Sequence, residues 1–319
     1  MGSLTIDSGR AAMLADVAEG LSRPRKELSP KYFYDQRGSE LFEAITRLPE
    51  YYPTRSERAL LTTFAPAWIA ELSPVSLVEL GAGAADKTRI LLDAIQAASP
   101  GATYVPVDIS AEFLESAAEG LREDYPALEI QPVVADMSAL IRLPGELPRP
   151  AVFALLGSTI GNFRPGAAVA LLGRARAQMR DGDRFLLGAD LVKDVGVLEA
   201  AYNDAAGVTA AFNLNVLHVL NRELGADFDV NAFRHRAFYD PEKRRIEMHL
   251  VAGRAMTATV PGAGAFAFAA GETVRTEISC KYDRDAVAAM FADAGLVLER
   301  WLTGPDDAHR FGLAVGRLP

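Results

Sequence analysis

The sequence predicts an α/β fold, a parallel sheet with helices on both faces, joined to a second lobe rich in β-structure. Three observations predict it. Between Leu77 and Leu191 short apolar runs alternate with helical ones, the pattern of successive βαβ units. A glycine turn, Gly81-Ala82-Gly83, stands where the first apolar run gives way to a helical period. From residue 228 to 280 strand-like alternation and turn residues take over, which marks a separate block.

Residues 9–22 carry a weak helical pattern that ends at Ser22-Arg23-Pro24, since proline cannot continue a helix. Aromatics crowd Ser29–Asp35, and Ser39 is expected to cap a helix from Glu40 to Arg47. Leu48–Arg55, bounded by prolines, reads as an aromatic loop clamped on the core. Tyr34 and Tyr51 stand apart there, because a phenol brings a hydrogen-bonding tip to an apolar wall. A helix follows from Ser56 to Leu72.

Strands are predicted at Leu77–Leu80, Tyr104–Val107, Ile130–Val134, Val152–Leu156 and Phe185–Gly188, with helices such as Ala111–Glu123 and Ala167–Met179 between them. Leu191–Leu224 reads as a long helical region broken near Gly207. Strand-like segments follow at 236–239, 245–250, 255–260 and 265–269, with a last run from Gly271 to Ser279. The tail returns to α/β character: a helix at Asp283–Ala294, a strand at Leu296–Leu302, a turn at 304–307 and a strand at Phe311–Val315. The expected division is 56–191 with 281–319 for the sheet domain, and 1–55 with 192–280 for the second lobe.

Half of the residues are apolar and the net charge is −9. That balance opposes nucleic acid or an anionic membrane as the main partner, because both demand a basic surface. No apolar run approaches the ~18 residues of a membrane span, and the N-terminus lacks the basic-then-apolar order of a signal peptide. Cys280 is the only cysteine, and His218, His235, His249 and His309 show no metal-ligand spacing, so no metal is expected. A cytoplasmic monomer acting on a small molecule is the expectation.

Chemistry concentrates at predicted strand ends: Glu79, Asp108, Asp136, Ser158-Thr159 and Asp190. Ligands of doubly wound sheets bind beyond the carboxyl ends of the strands. The glycine turn lets backbone N–H groups approach a nucleotide without a Cβ in the way. The third glycine of the dinucleotide fingerprint is missing, position 86 being Asp, while Glu79 lies two residues before Gly81. This acid-x-Gly-x-Gly form resembles motif I of the Rossmann-like class I S-adenosylmethionine methyltransferases more than an NAD site. On this stretch alone a plain glycine turn, another nucleotide or an NAD-type oxidoreductase stays open. Asp108, 27 residues after Gly81, suits both ribose hydroxyls or, alternatively, a helix cap at Ser110-Ala111. Asp136 suits an adenine amino group, with Met137 on the ring, or is an ordinary turn acid. Lys87 is either solvated or reaches a cofactor carboxylate, and Asn162 offers a donor and an acceptor to a small zwitterion.

Longer strings are more specific. Tyr-Phe-Tyr-Asp (32–35), Arg-Leu-Pro-Glu-Tyr-Tyr-Pro-Thr-Arg (47–55), Val-Glu-Leu-Gly-Ala-Gly (78–83), Leu-Gly-Ser-Thr-Ile-Gly-Asn (156–162), Asp-Leu-Val-Lys-Asp (190–194), Ala-Tyr-Asn-Asp-Ala-Ala-Gly-Val-Thr-Ala-Ala-Phe-Asn (201–213) and Thr-Glu-Ile-Ser-Cys-Lys-Tyr (276–282) resemble the histidine-specific N-alpha-methyltransferases of ergothioneine biosynthesis. The likeness runs from about residue 28 to the C-terminus.

The resemblance implies that Gly81, Lys87, Asp108, Asp136 and Met137 contact S-adenosylmethionine. It implies that Tyr51, Asn162 and Tyr202 hold the carboxylate and amino end of L-histidine and of its mono- and dimethyl forms. Glu277 and Ser279 then hold the imidazole, with Met248 lining that end. Residues two apart on a strand share a face, so one ring reaches both Glu277 and Ser279. Met137 departs from the aromatic usual at its position, which implies altered cofactor affinity. The implied reaction is trimethylation of the α-amino group to hercynine; Tyr51 or an ordered water is the candidate relay for the lost proton, unless the amine binds already deprotonated. The rivals are methylation of another amino acid and a silent binding protein.

Overall fold

Strands without a polar face must be covered on both sides, and these are. The computed structural model describes residues 2–137, 143, 145–304 and 311–319. His309 and the turn expected at 304–307, apart from Gly304, lie outside the described residues. In chain order the helices are α1 (Gly2–Ser22), α2 (Gln36–Thr46), α3 (Tyr52–Leu72), α4 (Arg89–Ala98), α5 (Ala111–Asp124), α6 (Pro165–Arg176), α7 (Val195–Ala200), α8 (Val208–Leu224) and α9 (Arg284–Asp293). The strands are β1 (Ser76–Leu80), β2 (Thr103–Asp108), β3 (Glu129–Ile130), β4 (Val133–Val134), β5 (Ala151–Leu155), β6 (Arg184–Asp190), β7 (Phe233–Asp240), β8 (Arg245–Ala252), β9 (Met256–Val260), β10 (Gly264–Phe268), β11 (Thr273–Cys280), β12 (Val297–Thr303) and β13 (Phe311–Arg317). Two compact units divide the chain: Met1–Tyr51 with Asp194–Ser279, and Tyr52–Lys193 with Cys280–Pro319.

The second of these units holds a sheet in the order β3-β2-β1-β5-β6-β13-β12, with β4 alongside β2. Pairing is parallel from β3 to β6 and antiparallel at β13 and β12. Alternate strand residues feed opposite cores, as a doubly covered sheet requires. Leu77, Tyr104 and Leu186 pack with α3, α4 and α5, while Val78, Val105 and Phe185 pack with α6 and α9. The strand order reverses at β1, between β2 and β5. The loops beyond the carboxyl ends of these strands are therefore the switch point of the sheet.

Local departures from the sequence reading have physical reasons. The strand expected over Ile130–Val134 is two short ones, β3 pairing at Thr103-Tyr104 and β4 at Val107-Asp108. Pro132 between them has no N–H to keep the ladder going. Ser39 caps nothing: α2 begins at Gln36, and the Asp35 carboxylate accepts the Gly38 N–H at 2.8 Å. A carboxylate at a helix N-terminus also opposes the positive end of the helix dipole. The aromatic loop is shorter than expected, because α3 starts at Tyr52 with Pro53 in its first turn, where a missing N–H costs little. Leu191–Leu224 divides into α7 and α8. Asp204 draws the second helix start, accepting the N–H groups of Val208 and Thr209 at 2.8 Å each.

In the other unit β7 and β8 pair antiparallel from Phe233↔Ala252 to Asp240↔Arg245, with β11 on the far side of β8. Helix α8 is buried through Phe212, Val216 and Leu220. Its Phe212 ring lies 4.6 Å from Phe33 and 5.6 Å from Tyr34, so the aromatics of the 29–35 segment pack on α8. Among the described residues no helix is long and apolar enough to cross a membrane.

Candidate active site

The glycine turn after β1 is where three loops converge. Gly81 has φ +73° and Gly83 φ +53°, the left-handed region that favours glycine. A Cβ on Gly81 would lie 2.8 Å from Met137 Cε and 3.8 Å from Thr159 Cγ2. The turns after β1, β4 and β5 thus meet at Gly81, whose positive φ is what calls for glycine. Asp108, half-buried at the end of β2, accepts the Gly83 N–H through Oδ2 at 3.0 Å and the Ser110 N–H through Oδ1 at 3.1 Å. It braces the start of α5, as the helix-cap alternative expects, and it faces the glycine turn. Each oxygen keeps a lone pair for a further donor, the arrangement two ribose hydroxyls require. Asp136 and Met137 are half-buried just past β4, and these residues fit the S-adenosylmethionine that the resemblance implies.

Two acids expected at the mouth of the sheet face inward instead. Glu79 is 3 % exposed and accepts the Thr88 hydroxyl at 2.7 Å and the Tyr104 hydroxyl at 2.5 Å. Burial pushes its carboxyl up to about 7, against the pull of those hydrogen bonds. Its work is to fasten the start of α4 beneath the turn. Asp190 has no solvent exposure and is held by Tyr52 Oη at 2.8 Å, Lys281 Nζ at 2.8 Å and the Lys193 ammonium. Burial opposes its ionisation, yet the two lysines keep the carboxyl below the usual range.

This charged knot steadies the turn that carries Asn162. The Asp190 N–H donates to Ser158 Oγ at 2.9 Å, and Ser158 sits at φ +57° before the 3₁₀ turn Thr159–Asn162. Tyr282 donates to the Ile160 carbonyl at 3.3 Å. Asn162 is half-buried at the end of that turn, in the unit of the sheet.

Lys87 is paired. Its ammonium meets the carboxylate of Glu57, which is wholly buried and also accepts the Gly157 N–H at 2.8 and 2.9 Å. Sequence reasoning missed Glu57, although a signal existed: it lies three and four residues before Leu60 and Leu61, on the buried face of α3. Gly188 in β6 makes room for it, since a Cβ there would lie 1.9 Å from Glu57 Oε1.

The remaining predicted residues lie in the other unit. Tyr51 is 8 % exposed, with its ring edge-on to Phe42 at 6.3 Å and to Tyr202 at 6.4 Å. Tyr202 donates to Ser279 Oγ at 2.8 Å. Glu277 and Ser279 share a face of β11 and are 9 % and 4 % exposed. Met248, 1 % exposed, lies on the neighbouring β8, its carbonyl 3.2 Å from the Thr276 hydroxyl. Asn213, the last residue of the 201–213 string, meets His235, which no motif indicated, at 2.8 Å, and His235 reaches the Tyr202 carbonyl at 2.8 Å; burial holds the His235 imidazole below its ordinary range.

The sequence profile described as "Histidine-specific methyltransferase, SAM-dependent" matches residues 13–317. The chain is 46 % identical over 314 residues to the Histidine N-alpha-methyltransferase of Mycolicibacterium smegmatis, covering 98 % of this chain and 97 % of that one. It is 45 % identical to the enzyme of that name from Mycobacterium tuberculosis, covering 97 % and 96 %. Among solved structures it is similar to a methyltransferase candidate of Thermobifida fusca, with a TM-score of 0.51 at 13 % identity, covering 94 % and 97 %; at that distance the fold alone is shared. The chain belongs to the family of S-adenosylmethionine-dependent, histidine-specific methyltransferases.

Proposed function

We propose that the enzyme methylates the α-amino nitrogen of L-histidine three times, giving hercynine, the first step of ergothioneine biosynthesis. The observation that carries this reading is the Tyr202–Ser279 hydroxyl pair, 2.8 Å apart, with Glu277 on the same strand face. Two relatives named Histidine N-alpha-methyltransferase, at 46 % and 45 % identity, support the choice of nitrogen. In this reading Gly81, Lys87, Asp108, Asp136 and Met137 hold S-adenosylmethionine in the sheet unit. Tyr51, Asn162 and Tyr202 hold the carboxylate and amino end of histidine, and Met248, Glu277 and Ser279 hold the imidazole. The unit of α1, α2 and β7–β11 is then the histidine-recognising one.

When bound, S-adenosylmethionine supplies an electrophilic methyl group on a sulfonium. The chain's residues supply alignment and an uncharged amine. Anchors at the carboxylate and the imidazole leave the amine free to change, so one site serves the free, mono- and dimethyl substrates. Starting from a neutral amine, two protons leave before the third transfer gives the quaternary product. Tyr51, whose ring borders Tyr202, is the group that relays them to water. In this reading the enzyme is a cytoplasmic monomer, and its net charge of −9 opposes nucleic acid as a partner.

Mass spectrometry of L-histidine incubated with enzyme and S-adenosylmethionine tests the reading. Products bearing one, two and three methyl groups are expected. Methylation of tryptophan or tyrosine with histidine left untouched would overturn it.

A further inference from the structure

Tyr202 and Asn203 lie between α7 and α8, and two alternate positions of β7 hold them. His235 reaches the Tyr202 carbonyl through Nε2 at 2.8 Å. Two residues on, Ala237 exchanges hydrogen bonds with the Asn203 amide, its carbonyl accepting at 3.1 Å and its N–H donating at 3.3 Å. The other ring nitrogen of His235 faces Asn213 Nδ2 at 2.8 Å.

The neighbours decide where the imidazole proton sits. Asn213 has no solvent exposure, and its Nδ2 also donates to the His249 carbonyl at 3.0 Å, while its Oδ1 accepts the Thr276 hydroxyl at 2.6 Å. Turning the amide over would set oxygen against the His249 carbonyl oxygen. Nδ1 of His235 therefore accepts, and Nε2 carries the hydrogen that Tyr202 receives. The chain of contacts runs from Thr276 through Asn213 and His235 to Tyr202, whose hydroxyl returns to Ser279. It begins and ends on β11, on either side of Glu277.

We propose that His235 is a positioning residue for histidine recognition: as the Nε2–H tautomer selected by Asn213, it sets the Tyr202 backbone so that the Tyr202 hydroxyl meets Ser279. The proposal rests on the reading of Tyr202 and Ser279 as substrate contacts. His235 itself touches no substrate in it. Fully bonded polar loops of this kind specify one geometry, and a break in them is felt at the far end.

His235→Phe keeps a ring and removes both contacts, whereas the amide of His235→Gln can still donate to Tyr202 and accept from Asn213. His235→Phe should raise KM for L-histidine about ten-fold. S-adenosylmethionine affinity, measured by calorimetry, should stay within about two-fold, and kcat should change less than KM. His235→Gln should recover most of the loss. An unchanged KM in His235→Phe, or equal loss of cofactor binding, would overturn the proposal. If that variant fails to fold, nitrogen NMR of the wild-type imidazole decides: a proton on Nε2 supports the proposal and a proton on Nδ1 overturns it. Tyr202→Phe and Ser279→Ala separate the two levels. If both leave KM unchanged, the substrate reading fails and the proposal with it; if they raise KM and His235→Phe does not, only the proposal fails.

Discussion

Glu57 and Lys87 form an ion pair in which the Glu57 side chain has no solvent exposure and the Lys87 side chain retains 19 %. The acid comes from α3 and the base from the turn after β1, and the same carboxylate takes the N–H of Gly157 after β5. One buried group thereby sets the spacing of two loops that border the glycine turn. A buried carboxylate needs such partners, because removing either one strands the other without water.

Glu57→Gln keeps the shape and an acceptor for Gly157 but releases Lys87. Its affinity for S-adenosylmethionine should fall about ten-fold, with KM for histidine unchanged, as calorimetry and steady-state kinetics will report. Glu57→Ala also orphans the Gly157 N–H, and denaturant melts should show a loss of about 3 kcal/mol.

Gly188→Ala tests the same pair from β6, on the sheet face that α3 covers. The added methyl would occupy the place of Glu57 Oε1, and so should reproduce the cofactor defect of Glu57→Gln without altering any charge. Normal cofactor affinity in Gly188→Ala would show that Glu57 has room to shift.

Met137 lies against the bare face of Gly81. Met137→Ala removes that cover and should weaken S-adenosylmethionine binding about five-fold, again with histidine KM preserved. A shift in histidine KM alone would place Met137 with the substrate.

Glu277→Ala removes the acceptor assigned to an imidazole N–H. The ratio of kcat/KM for histidine over tryptophan should drop about a hundred-fold, because the partner group is then left unpaired. Wild-type selectivity would refute that assignment.

Glu79 carries a pH signature. Its carboxyl titrates near 4.5 when exposed and at about 7 in the fold. The folded form therefore holds the proton more tightly, so this group's contribution is complete below pH 4.5 and is lost as pH rises through 7. In Glu79→Gln that loss disappears. Between pH 5 and pH 8 the stability of wild type relative to the variant should fall by most of roughly 3 kcal/mol, measurable by denaturant titration at each pH.

The α/β sheet, the glycine turn and the family were legible in the amino-acid order, because each rests on residues close together in the chain. Strand alternation reports two covered faces at β1, β2 and β5. Gly81 and Asp108 declare themselves through local geometry, and the long strings around Tyr51, Tyr202 and Glu277 are legible as a family likeness. Tertiary structure alone decided which polar groups meet. Glu57 finds Gly157 across 100 residues, Tyr202 finds Ser279 across 77, and Thr276 finds Asn213 across 63. Hydropathy tells whether a residue is buried, while a hydrogen bond needs a partner at a given distance and angle. The inward turn of Glu79 and Asp190 and the tautomer of His235 follow from packing between segments, and no local pattern encodes them.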